Sequence, residues 1–215
     1  MDKMNRKKQI LIEIFLVTFF FLFFVILFQL QFFIILFLIF TSLLVSLLYK
    51  KQIIKIILPK KTNFFLYFIF FDIFLVLSMI MVFGNDFSLS NLNFEKYYLL
   101  LILLLFYLFF SVIPQELIFR FLFFYKYKNY FNKHEILLLN SLVFSLCHLI
   151  YLDFYIFLFS FFGNLLFTFN YIKNKSLLLV IIEHFLIGQT LIVLGFFDNF
   201  NLSITKKLYN LILIN

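Results

Sequence analysis

The chain has 215 residues, a formal net charge of +8 and a hydrophobic share of 65%, which includes 40 phenylalanines. Charged side chains make up only 13%, whereas a soluble domain has about a quarter. This composition excludes a soluble globular domain and predicts a membrane protein with lipid as a partner. The positive charge lies in short segments beside apolar runs, a pattern of membrane topology, and nothing indicates binding to nucleic acid.

Continuous apolar runs predict membrane-spanning helices, because the strands of a membrane barrel would alternate apolar and polar residues. The predicted fold is an all-α, polytopic transmembrane bundle of about seven or eight helices. The runs lie at 10–28, 32–49, 64–83, 97–125, 136–151, 154–172, 176–195 and, weakly, 202–214. The first run is too long for a signal peptide and no small-residue cleavage site follows it, so we expect it to stay as the first helix.

Positive residues recur at every second connection of the chain. They are Lys3, Arg6, Lys7, Lys8, then Lys50, Lys51, Lys55, Lys60, Lys61, then Lys126, Lys128, Lys133, and finally Lys173 and Lys175. The positive-inside rule places these connections and the N-terminus in the cytoplasm, and we expect a bacterial plasma membrane. We divide the chain into N-terminal helices (1–96), a core of four helices (97–195) and a short or interfacial C-terminal helix (196–215).

Six ionisable side chains lie at membrane depth, away from the predicted helix ends, where each is costly and therefore suggests a function. They are Asp72, Glu116, Arg120, His148, Glu183 and His184. Glu116 and Arg120 are four residues apart on one helix face, which predicts an ion pair. Taken alone, that pair could be a structural tie, and each histidine a packing residue. Glu116, His148 and His184 nevertheless lie at comparable depths from the basic connections, which favours one common site.

Two kinds of chemistry fit one carboxylate and two imidazoles. A buried carboxylate can serve as a general base while the histidines stabilise an oxyanion, which needs no cofactor. Alternatively, His148, His184 and Glu116 could be the ligands of a divalent metal such as zinc. The chain has no His-Glu-x-x-His sequence, and the spacing does not decide between these possibilities.

Three ordered motifs carry a resemblance to a known family. They read Gln115-Glu116-Leu-Ile-Phe-Arg120, Phe144-Ser-Leu-Cys-His148 and His184-Phe-Leu-Ile-Gly188. Over roughly residues 98–195 the chain resembles the CAAX protease and bacteriocin-processing family of intramembrane endopeptidases, also called Abi or Rce1-like. Its pattern is Glu-Glu-x-x-x-Arg, Phe-x-x-x-His and His-x-x-x-Asn. The resemblance implies that the first Glu activates water, the second Glu and the Arg shape the site, and the His and Asn side chains bind the oxyanion or orient the water.

The sequence departs from that pattern at two positions. Gln115 stands where the first Glu belongs, and an amide cannot take a proton from water at neutral pH. Gly188 stands where the Asn belongs, and Gln189 could replace that amide. Glu116 could then be the base, Glu183 could supply the missing acid, or the protein could bind peptides without cleaving them. The chain looks like a bacterial subgroup that shares these departures, which favours altered chemistry over decay.

The sequence thus predicts an endopeptidase that hydrolyses a peptide bond in a membrane-associated peptide or protein. Its candidate catalytic residues are Gln115, Glu116, Arg120, His148, Glu183 and His184. A non-catalytic bacteriocin self-immunity protein is the alternative, and a proton-coupled transporter is less favoured because no internal repeat is visible. We also expect Pro114 to kink its helix, and Gly163 and Asn164 to allow close helix packing.

Overall fold

The computed structural model of the chain describes residues 3–28, 31–58, 62–83 and 94–193, and all regular structure in these ranges is helical. The helices are α1 (Lys3–Leu27), α2 (Gln31–Leu48), α3 (Lys50–Ile57), α4 (Thr62–Phe83), α5 (94–127), α6 (Lys133–Cys147), α7 (Phe154–Asn174) and α8 (Leu177–Val193). A 3₁₀ turn, His148–Tyr151, continues α6. The predicted all-α bundle is confirmed, whereas the weak run at 202–214 lies outside the described residues.

Several helices are long and apolar enough to cross a membrane. Within the described ranges they are Met4–Leu27, Leu101–Tyr127, Lys133–Tyr151 and Phe154–Asn174, and α2 with α3 gives a fifth if this bent pair is one broken span. The apolar parts of α4 and α8 are shorter, at Ile69–Met81 and Leu177–Ile192. Large exposed side chains such as Phe15, Phe37 and Phe70 would face lipid. The chain is therefore an integral membrane protein.

A short basic helix, Lys50–Ile57, lies within the segment 50–61 that the sequence suggests is a plain connection. Helix α3 is bent by 95° from α2, buries Ile53, and exposes Lys50, Lys51 and Lys55. Such a helix suits the interface between lipid and water, where its lysines stay hydrated. The hydroxyl of Ser176 donates to the carbonyl oxygen of Ile57 at 3.1 Å and accepts from the amide of Leu179 at 3.1 Å, which ties the end of α3 to the start of α8.

Local capping defines where α6 and α7 begin. Asn132 and Glu135 form a reciprocal capping box at α6, with both side-chain-to-backbone distances at 2.9 Å. The Asp153 carboxylate accepts from the amides of Tyr155 and Ile156 at 2.7 and 3.0 Å, which satisfies donors that have no partner within α7. The four helices α5–α8 are therefore joined by short, well-capped connections that place neighbouring helices side by side.

Ion pairs bring the basic connections to one end of the bundle. Lys7 near the start of α1 lies 2.5 Å from Glu135 near the start of α6, and Lys126 near the end of α5 lies 3.4 Å from Glu13. The contact between Ser176 and Ile57 adds α3 and α8 to the same end. The structure thus agrees with the alternation of basic connections in the sequence. That this end faces the cytoplasm stays a prediction.

The apolar core lies where α5 meets its neighbours. One cluster joins Phe123 and Phe124 of α5 to helices on several sides, through Ile10, Ile14, Phe131, Ile136, Phe167, Tyr171 and Val180. A second cluster packs Leu117 and Phe121 of α5 against Val45, Ile53 and Leu177. Helix α5 is therefore held on more than one side, which fixes the polar side chains that it carries.

Candidate active site

Helix α5 is locally rewound around its single proline. An α-helical turn, Ile113–Glu116, contains Pro114 and lies between two π-helical segments, Leu108–Val112 and Leu117–Leu122. Pro114 has no amide hydrogen and cannot close the normal α-helical bond, so the disturbance predicted at this residue takes the form of these π-helical turns. Such turns widen a helix and are frequent at functional sites.

The Arg120 guanidinium is buried and held by three helices. Its Nε lies 3.1 Å from Glu116 Oε2, so the predicted ion pair is present, although this contact lacks hydrogen-bond alignment. Nη1 donates to Asn140 Oδ1 of α6 at 2.9 Å, and Nη2 donates to Asn164 Oδ1 of α7 at 2.5 Å. The rings of Phe144 and Phe167 lie 5.8 and 5.9 Å from its central carbon. Arg120 thus has one fixed position.

Neutral polar side chains complete the setting of Arg120. The Asn140 amide donates to the carbonyl oxygen of Phe119 at 2.9 Å, and both Asn164 and Thr168 donate to Asn140 Oδ1, at 3.0 and 2.9 Å. Asn164, which the sequence analysis assigned to close packing, therefore acts as a hydrogen-bond partner. No sequence motif singles out Asn140 or Thr168, although an uncharged polar residue in an apolar run also suggests a hydrogen bond between helices.

His184 of α8 is joined to the same carboxylate. Its Nδ1 lies 2.7 Å from Glu116 Oε1, so Glu116 bridges His184 and Arg120 while being fully buried itself. Since a carboxylate only accepts, Nδ1 of His184 carries the proton. The ring packs on Phe167 with centroids 5.2 Å apart and meets Phe144 and Tyr107 edge to face at 5.7 and 6.3 Å. Nε2 therefore has the free lone pair that can accept a proton.

His148 approaches from the end of α6. Its Nδ1 lies 2.8 Å from the carbonyl oxygen of Phe144, which can only accept, so this nitrogen also carries a proton. Its ring centroid is 4.5 Å from that of Phe144, and Phe144 lies 5.7 Å from His184. The two imidazoles therefore contact the same phenyl ring. The side chain of His148 is half-buried, whereas His184 is buried.

Two predicted site residues have their hydrogen bonds elsewhere. Glu183 Oε1 accepts from the amide of Asn170 on α7 at 2.5 Å, and Gln115 donates to the hydroxyl of Ser111 at 2.9 Å. In the described part of the chain, no hydrogen bond joins either of them to Glu116 or to an imidazole. Gln189, proposed as a substitute amide, is half-buried on α8.

Glu116, His148 and His184 are also the residues that the sequence offers as ligands of a metal ion. The Glu116 carboxylate is already engaged by Arg120 and His184. Over residues 3–28, 31–58, 62–83 and 94–193, no three His, Cys, Asp or Glu side chains converge in a way that could hold a metal ion. In this arrangement Glu116, His148 and His184 do not converge as three ligands of one ion.

The segment that carries this site is similar to a known protease family. Residues 97–188 match the sequence model of the type II CAAX prenyl endopeptidase Rce1-like family. The matched segment begins in α5, ends in α8, and contains Glu116, Arg120, His148 and His184. The match supports the Rce1-like resemblance and a membrane protease at the level of the family. No curated protein and no solved structure matches the chain.

Proposed function

We propose that this protein is an intramembrane endopeptidase that hydrolyses a peptide bond in a membrane-associated peptide or protein. The observation that carries the proposal is the 2.7 Å contact between Glu116 and His184, inside a segment similar to the Rce1-like family. A buried carboxylate on Nδ1 of an imidazole is a recurring way to make Nε2 a base. The ring of Phe144 contacts the imidazoles of both His148 and His184, so the two histidines belong to one cluster.

Glu116 acts as a positioning residue in this proposal. One of its oxygens contacts His184 and the other contacts Arg120, and the side chain is fully buried. It therefore holds the His184 ring and keeps the proton on Nδ1, and its negative charge stabilises the imidazolium that forms when Nε2 accepts a proton. Gln115, bonded to Ser111, takes no proton.

The two histidines divide the chemistry. Nε2 of His184 takes a proton from water, and the resulting hydroxide adds to the carbonyl carbon of the peptide bond. In this proposal His148 takes up a second proton from solvent at Nε2, and that Nε2–H then donates to the negative charge that develops on the carbonyl oxygen. When the tetrahedral intermediate collapses, the carbon–nitrogen bond breaks, and the proton held by His184 passes to the leaving nitrogen.

A comparison of peptide termini in cells tests the proposal. Membranes and secreted peptides are compared for cells with the wild type, His184→Ala or His148→Ala at matched protein levels. His134→Ala is the control, because His134 is exposed at the start of α6, far along the helix from His148. A set of termini present with the wild type and the control, and absent with the other two variants, supports hydrolysis. Equal profiles from all four folded proteins would overturn it and favour a peptide-binding immunity protein.

A further inference from the structure

Gly188 makes room for the hydroxyl of a tyrosine from another helix. A Cβ atom added at Gly188 would overlap Oη of Tyr107, and it would lie 2.9 Å from Cζ and 3.2 Å from Cε1 of the same ring. The phenol of α5 thus rests directly against the backbone of α8. Any side chain at position 188 would have to displace it.

The position of this hydroxyl is set by the helical repeat. Gly188 follows His184 by four residues, so both lie on one face of α8, one turn apart. The ring of Tyr107 meets His184 edge to face at 6.3 Å and stacks on Phe185 with centroids 6.3 Å apart. The phenol therefore lies next to the imidazole of the proposed base.

Tyr107 also lies near the remaining groups of the site. It lies near Glu116 and Tyr151, and the Tyr151 ring is 5.7 Å from that of His148. Tyr107 is the last α-helical residue before the first π-helical segment of α5, which rewinds the chain between it and Glu116. It is thus a hydroxyl near both histidine-bearing elements, on an otherwise apolar stretch of helix.

We propose that Tyr107 is a catalytic residue whose phenolic O–H donates a hydrogen bond to the substrate carbonyl oxygen as it becomes negative. One turn after His184, α8 has Gly188, which carries no polar side chain. The hydroxyl of Tyr107 on α5 provides a polar group at this place. Together with the Nε2–H that His148 gains when it takes up a second proton, it gives the oxyanion two donors. This inference rests on the proposed endopeptidase function and adds to it a residue that the sequence motifs do not contain.

The first test is Tyr107→Phe, which keeps the ring and removes the hydroxyl. Its control is Tyr98→Phe, an exposed tyrosine of the same helix. The readouts are the yield of the wild-type termini in cells and steady-state kinetics of purified protein on a peptide that spans one such terminus. We expect kcat to fall by about 10²-fold with little change in KM, because the lost donor acts mainly in the transition state. The control should match the wild type.

A second pair of variants separates a hydrogen-bonding role from a space-filling role. Tyr107→Ala removes the phenol, and the added substitution is either Gly188→Asn or Gly188→Leu, two side chains of similar size. We expect Tyr107→Ala alone to be inactive, and recovery with Gly188→Asn but not with Gly188→Leu.

Equal recovery with both substitutions, or a Tyr107→Phe variant as active as the wild type, would overturn the role of Tyr107 while leaving the endopeptidase function intact. A wild type that yields no termini would overturn both proposals.

Discussion

Glu116 of α5 and His184 of α8 are joined by a 2.7 Å contact between Oε1 and Nδ1, and both side chains are buried. The other carboxylate oxygen lies 3.1 Å from Nε of Arg120. One buried carboxylate therefore links two helices that are distant in sequence, and it sets both the orientation and the proton position of the imidazole. The proposed chemistry depends on this link.

Replacing Glu116 by Gln should remove this control of the proton. The amide has nearly the same shape, but its nitrogen can donate to Nδ1 and so favour the tautomer that carries the proton on Nε2. His184 would then lack a free lone pair for water. We expect cleavage to fall by about 10²-fold or more, measured as yield of the wild-type termini. Glu13→Gln is the matched control, since Glu13 is half-exposed on α1. Unchanged cleavage by Glu116→Gln would contradict the role of Glu116.

Arg120→Lys tests whether the geometry of the guanidinium group is required at this position, in addition to its positive charge. Arg120 contacts Glu116, Asn140 and Asn164 from different nitrogens, and one ammonium group cannot reproduce this fork. Breaking a buried network of this kind should lower the free energy of unfolding by about 3 kcal/mol, seen as a lower midpoint of thermal denaturation in detergent.

The control for this change is Arg6→Lys. Arg6 is exposed, and among the described residues its side chain bonds only to Gln9, at 3.4 Å, so the midpoint should not move. Equal midpoints for Arg120→Lys and the wild type would show that charge alone suffices at position 120.

Sequence patterns predicted most of the helices because lipid demands long apolar runs, and these have no other interpretation. Helix α3 was the exception. Its lysines look like a connection, and only its packing through Ile53 against α2, α5 and α8 reveals a helix at the interface. The π-helical turns around Pro114 could not be predicted from the sequence either, since a proline indicates a disturbed helix but not the form that the disturbance takes.

Asp72 is a buried acid without a hydrogen-bonding partner in the described residues. Both of its carboxylate oxygens are buried, and it is the only buried side chain in the stretch 69–81 of α4, so it faces α8 and α7, the helices that α4 contacts. A buried, unpaired carboxyl is costly. We expect Asp72→Leu to raise the midpoint of thermal unfolding by a few degrees, roughly the shift for 1 kcal/mol in a chain of this size.

Asp153→Ala is the comparison for Asp72→Leu, because the Asp153 carboxylate has hydrogen-bond donors and its removal should destabilise the protein. Asp153 caps α7, and its loss should lower the free energy of unfolding by about 1 kcal/mol. Asp72→Leu that lowers the midpoint, or that stops cleavage without unfolding, would contradict the interpretation of Asp72 as an unpaired acid and point to a role for it.

The orientation of the bundle can be tested with single cysteines, because the chain has only Cys147. In a Cys147→Ser background, Lys128→Cys reports on the α5–α6 connection and Tyr155→Cys on the opposite end of α6; both positions are exposed. If the basic end is cytoplasmic, a membrane-impermeant maleimide labels Tyr155→Cys in intact cells and Lys128→Cys only after permeabilisation. The reverse pattern would place the N-terminus outside.

The candidate site was predictable in part. Glu116, Arg120 and His184 come together because ionisable side chains in an apolar run must find partners, and few are available. The same rule did not show that Glu183, adjacent to His184, turns to Asn170, since neighbouring residues on a helix point about 100° apart. Tyr107 could not be found at all, because its relation to Gly188 exists only between helices.

Hydrolysis by the reconstituted protein is the most direct test of the central claim. Purified wild type and His184→Ala are placed in proteoliposomes with a peptide that spans one of the wild-type termini, in water enriched in ¹⁸O. The account predicts that the wild type alone cleaves the peptide and that the new carboxyl terminus contains one ¹⁸O atom, taken from the attacking water. An intact peptide with folded wild type, or equal cleavage by His184→Ala, would contradict it.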